Sequence, residues 1–343
     1  MQPIVRTMCR PLLDPQLMSQ LSLFADADGV DPAPVSADVC RLAAALPARI
    51  RLGTSSWSFP GWTGLVYAAC NGKPATEQML ARHGLSAYAR HPLFRTVSLD
   101  RTFYAPLTTA EFAHYAAQVP DDFRFVVKAP AAITDPVVRK AGSGEAARDN
   151  PSFLDAAGAA AAFVKPAIAG LGAKAGPLVF QFPPLGRRML ADVPRLVARI
   201  AAFMTMLPRG PLYAVEVRDP DLVTTSFATA LADSGAVPCV AVHARMPSVD
   251  LEARALGVDT SAAGPLVVRW NLHAGRSYDD AKAGYLPFNR IVDEDLPSRT
   301  SLARLARSAA AAGRDVFITI NNKAEGSAPL SVEHLAQAIA AGD

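Results

Sequence analysis

Cysteine is scarce in this chain, and what there is lies scattered. The 343 residues contain four, Cys9, Cys40, Cys70 and Cys239, with no CxxC pair. That spacing speaks against a structural zinc site and a disulfide framework, and it suits a reducing cytosol. A surplus of one charge is also missing: 34 Lys and Arg against 31 Asp and Glu leave a net +3. So mild a balance neither announces nor excludes a nucleic-acid binder. No apolar run approaches the roughly 20 residues of a membrane span. Prolines, arginines and Asp14 interrupt the opening segment before a signal-peptide core forms. The expected location is the cytoplasm, with no membrane partner. No G-x-G-x-x-G follows the first strand-like run, which removes the dinucleotide fingerprint. No G-x-S-x-G elbow supports a serine nucleophile.

What is present is 50% hydrophobic residues, enough to bury a large core. Residues 1–48 read as a partly flexible extension, broken by Pro3, Pro11, Pro15, Pro32 and Pro34. One short helix is expected from Ser36 to Leu46, opened by a capping serine and stopped at Pro47. The acidic patch "DADGVDPAP" places its glycine too early for a calcium loop, and no glutamate closes it. Residues 49–343 form the expected single domain.

There, short β-branched and aromatic runs alternate with Ala/Leu/Arg-rich helical stretches. The runs are 50–56, 95–100, 123–129, 177–183, 213–218, 237–243, 266–270 and 316–322. Strands mostly separated by helices predict an α/β fold, a parallel sheet closed into a (β/α)8 TIM-type barrel. Segments 131–150 and 271–297 read as loops at its mouth.

Strand side chains alternate, so parity sorts interior from exterior. In "YAVEVR", Tyr213, Val215 and Val217 face the helices, while Ala214, Glu216 and Arg218 face the interior. The same rule turns Ser55, Asp100, Lys128, Gln181, His243, Arg269 and Asn321 inward, each at the C-terminal end of its strand. Barrel enzymes carry their chemistry at that end. Lys128, Arg218 and Arg269 outweigh Asp100 and Glu216, which predicts an anionic ligand: a phosphate, a carboxylate or a nucleic-acid backbone. Glu216, His243 and Asp100 are the candidates for general acid/base catalysis. The same three are an acceptable donor set for a divalent metal, but their basic neighbours oppose one, so no cofactor is predicted. Two of the three tryptophans fall in the loop "SSWSFPGWTG" after the first strand. Trp57, a strand step beyond Ser55, is expected to wall the cleft, whereas Trp62 suits packing.

The blocks "LGTSSWSFPGWTGLVY", "TFYAPLT", "PDDFRFVVKAP", "LVFQFPP", "AVEVR" and "ITINN", in that order, resemble the YecE-like family (domain of unknown function 72). The resemblance spans roughly residues 50–325 and implies a TIM-type barrel with no established reaction. By position it adds Tyr104 and Asn322 to the ligand-binding candidates Trp57, Lys128, Gln181, Arg218, Arg269 and Asn321. Ser98 and Asp100 stand where the family shows glutamate and asparagine, and Asp135 where it shows histidine. These departures mark a divergent branch.

The resulting functional expectation is an enzyme, a hydrolase or lyase for preference, acting on an anionic substrate. One alternative is a non-catalytic ligand- or nucleotide-binding barrel. Another is a DNA-associated hydrolase, because "QLSLF", with Gln20, Leu23 and Phe24 as anchors, resembles the peptide that docks repair proteins on the sliding clamp.

Overall fold

The computed structural model describes residues 29–70, 72–139, 146–260 and 263–342. Gln20, Leu23 and Phe24 therefore lie outside the described residues. Eight parallel strands close a barrel: β1 (Ile50–Ser55), β2 (Phe94–Leu99), β3 (Arg124–Lys128), β6 (Ala175–Gln181), β7 (Tyr213–Glu216), β8 (Ala236–Val242), β9 (Leu266–Trp270) and β10 (Val316–Ile320). Each strand overlaps its expected run. Between β3 and β6, β4 (Val137–Arg139) and β5 (Ala146–Asp149) form a separate antiparallel ribbon inside the segment read as loop. The second such segment contains a helix, Tyr278–Tyr285.

Parity holds around the barrel. Val126, Val179, Ala214, Cys239, Val267 and Phe317 pack together as a small apolar plug inside it. Their strand neighbours Val127, Phe180, Val215, Val240, Val268 and Ile318 join the larger core between sheet and helices. Phe180 shows how that outer layer locks, with edge-to-face contacts to Phe163, Phe203 and Tyr213. Burying each such ring contributes roughly 1.5–3 kcal/mol.

Capping residues start the helices as their chemistry requires. The Ser36 hydroxyl accepts from the Val39 amide at 3.2 Å, opening Ala37–Ala45. Thr108 and Glu111 form a complete capping box on Thr109–Ala117. Val39 and Ala43 are buried, so this last part of the extension packs on the barrel. Ala156–Lys174 is long and apolar enough to cross a membrane, although no such run was expected. Phe163, Val164, Ala167 and Leu171 on it are buried in the barrel's outer core, as a barrel helix requires. A second correction concerns cysteine: Cys40 is disulfide-bonded, while Cys70 and Cys239 are free. The absence of a CxxC pair excludes only a local pairing and says nothing of a cysteine bonded to one far along the chain.

Candidate functional site at the barrel mouth

Above the apolar plug the interior turns ionic. Glu216, fully buried, shares its carboxylate between two guanidiniums. Arg269 Nη1 donates to its Oε2 at 2.7 Å, and Arg218 Nη2 pairs with its Oε1. Asn271 Nδ2 donates to the same Oε1 at 3.3 Å. Arg269 also reaches Asp100, donating from Nη2 to Oδ1 at 2.8 Å, and the Ser98 hydroxyl donates to that oxygen at 2.9 Å. Burial alone would raise the Glu216 pKa, but Arg218 and Arg269 override it and hold the carboxyl ionised below its usual range. Burial depresses Arg269, yet Glu216 and Asp100 reverse this and push it above its ordinary value.

Over this cluster opens a cavity of about 200 Å³. Strand ends supply Asp100, Lys128, Gln181, His243, Arg269 and Asn321, and Arg218 stands just past β7. The connections that follow the strands add Phe103, Tyr104, Asn271, Leu272 and Tyr278, the last opening the helix Tyr278–Tyr285. The structure thus brings together eight of the predicted site residues: Asp100, Tyr104, Lys128, Gln181, Arg218, His243, Arg269 and Asn321. Glu216 lies beneath the cavity floor rather than on it, with both oxygens committed.

Trp57 and Asn322 stand apart. Ser56 adopts a left-handed conformation (φ 62°), and strand alternation ends there. Trp57 is buried instead, donating from Nε1 to the Leu80 carbonyl at 3.0 Å and meeting Tyr115 edge-on. Asn322 Oδ1 accepts from Trp62 Nε1 at 3.1 Å and from the Ala328 amide at 2.9 Å, a structural role away from the cavity. Trp62 is fully buried, as packing required. Asp135 is likewise engaged elsewhere, accepting from Arg139 Nε at 2.7 Å. The inward position of Ser55 is buried too, below the lining.

The cavity's proton chemistry follows from its cations. Lys128 is lowered to about 8, first by burial and then by Arg269 and Arg218, against the pull of Asp100 and Glu216. Its ammonium lies 3.6 Å from the Phe103 ring centroid, and no carboxylate among the described residues lies within ion-pair distance of it. His243 is lowered to about 4 by burial and by Arg218, so it is neutral at pH 7. Its Nδ1 accepts from the Arg245 amide at 3.2 Å, which leaves the proton on Nε2. Arg218 is 8% exposed, and its Nη1 has no hydrogen-bond partner among the described residues. A buried unpaired donor of this kind costs about 1–3 kcal/mol or more unless something occupies it. Among those residues no group of three His, Cys, Asp or Glu could hold a metal; Glu216, one of the three proposed donors, is held by arginines instead.

Phe103, Asn271, Leu272 and Tyr278 were not anticipated. Phe103 lay within a recognised block; the other three belong to loop 271–297, which has no periodicity to tie them to a strand.

A closed parallel barrel with a polar, net-basic C-terminal mouth defines the architectural class. Within it, residues 51–343 match the family described as protein of unknown function DUF72, and the chain belongs to that family. The fold is similar to that of a DUF72 family protein from Enterococcus faecalis V583, at TM-score 0.56 and 17% identity over 84% of this chain and 95% of that one. A DUF72 family protein from Thermotoga maritima MSB8 is similar at TM-score 0.55 and 16% identity, covering 84% of this chain and 98% of that one. No curated protein matches the chain.

Proposed function

We propose that the mouth binds a small anionic group, a phosphate or a carboxylate, and that the protein is an enzyme acting on a substrate that carries it. The unpartnered Nη1 of buried Arg218 carries this reading. Arg218 would donate to the anion while Glu216 fixes its other nitrogen. Lys128 adds charge, Gln181 and the Asn321 amide orient, and His243 donates from Nε2. Proton transfer falls to Lys128, because a group lowered to about 8 exchanges its proton readily near neutral pH. Glu216 is a positioning residue here, since an ionised carboxylate locked between arginines has no proton to give. Asp100 faces the cavity as the remaining carboxylate, although one oxygen is engaged by Arg269 and Ser98.

The commitment of both carboxylates to Arg269 favours one second reading, a barrel that binds an anionic ligand without turning it over. Either way the anion site is tested directly. Arg218→Met is expected to weaken inorganic phosphate or acetate binding by about ten- to a hundredfold, the worth of a charge-assisted hydrogen bond. Calorimetric titration reads the loss, and Arg218→Lys should recover part of it. Wild-type affinity in Arg218→Met would refute the anion site.

The pH dependence has a definite sign. Lys128 is cationic below its pKa of about 8 and neutral above it, so anion affinity is expected to be full below pH 8 and to fall as pH rises past it. Lys128→Met should bind more weakly at pH 7 and lose that fall. An affinity flat from pH 7 to 9.5 in the unmodified protein would show that Lys128 does not face the anion.

A further inference from the structure

We infer that the ligand of this mouth carries a flat ring beside its anionic group, and that Tyr104 and Tyr278 hold the ring at the rim. The inference rests on the anion reading above. The cavity encloses about 200 Å³, less than the roughly 300–1,000 Å³ that surrounds a drug-sized ligand. A ligand of nucleotide size exceeds that volume and must leave part of itself at the rim.

That rim is aromatic. Tyr104 is 85% exposed and Tyr278 57% exposed, and both line the cavity. Large rings standing in water beside a polar pocket mark a contact surface. Each is braced from one side. Phe103 meets Tyr104 edge-to-face, with centroids 5.3 Å apart at 86°. The Lys323 ammonium lies 4.4 Å from the Tyr278 centroid and 3.3 Å from Asn321 Oδ1. The two tyrosines border the same cavity, yet among the described residues their rings make no contact with each other. Unstacked, braced rings above a buried guanidinium form a slot for a planar group whose acid points down to Arg218. Stacking of this kind tightens binding by about five- to a hundredfold.

Two matched pairs of probes test it by calorimetry: AMP against ribose 5-phosphate, and benzoate against acetate. In the pair whose acid the floor accepts, the ring-bearing member should bind about tenfold tighter or more. That pair also distinguishes a nucleotide-like ligand from an aromatic acid. The double variant Tyr104→Ala/Tyr278→Ala should bring the ring-bearing probe to the affinity of its ringless partner and leave the partner's affinity unchanged. Both rings are exposed, so the variant should fold, which circular dichroism confirms. Equal affinity within both pairs, or a double variant that keeps the preference, overturns the aromatic slot while the anion site stands. Failure of all four probes to bind removes the anion site and the slot together.

Discussion

Glu216→Gln is expected to lower stability by about 3–5 kcal/mol, the usual loss when one member of a buried ion pair is removed. The glutamine keeps the shape and loses the charge. Arg218 and Arg269, 8% and 2% exposed, would then face each other with only Asp100 to share. Chemical denaturation should show a lower midpoint at unchanged slope. Acid should give the matching signature. Because Glu216 is held below its ordinary 4.5, the stability it lends is full above that pH and lost as pH falls through its folded value. Glu216→Gln should therefore flatten the acid limb of the stability curve. A double variant, Glu216→Gln/Arg218→Met, removes charge of both signs and should lose less than the sum of the two single changes. A loss below about 1 kcal/mol for Glu216→Gln alone would mean that water reaches the cluster and solvates the arginines.

Gly53→Ala is expected to destabilise by about 3 kcal/mol or more, at the upper end of what overpacking costs. An alanine Cβ there would lie 1.8 Å from the Thr96 carbonyl oxygen. Gly53 pairs with Thr96 where the β1–β2 register shifts, so the obstacle is backbone rather than a side chain that can rotate away. That carbonyl is itself held. The buried Tyr88 hydroxyl donates to it at 3.1 Å and also meets the Thr54 amide and hydroxyl, each at 2.9 Å. Separating the strands would disturb this hub as well as the ladder. Urea titration measures the effect; a midpoint within error of the parent would show that β1 reseats freely.

Of the two residues, only Glu216 is marked out by the strand pattern, and the fold sets the role of each. Gly53 shares the inward parity of Ser55, two residues on, but what constrains it is the neighbouring strand. Glu216 was read by parity as an inward acid, which it is. Alternation gives direction along a strand but not depth, so it could not place the carboxylate under the floor. Parity served well at Lys128, Gln181, Arg218 and Arg269, which lie on a regular strand or just beyond it. It failed at Trp57 because one left-handed residue, Ser56, ends the alternation. Tyr278 and Asn271 were out of reach altogether. Their place at the mouth comes from a long connection folding back over the barrel, a tertiary event with no local period to announce it. The helix inside that connection, Tyr278–Tyr285, and the β4–β5 ribbon were missed on the same ground.

The tryptophans have an optical consequence. Trp57, Trp62 and Trp270 are 6%, 0% and 0% exposed, and none lines the cavity. Their indoles sense the packing of the barrel and little of what enters its mouth. The intrinsic emission of this protein is thus a gauge of folding, while the rim chromophores that a ligand would perturb are phenols.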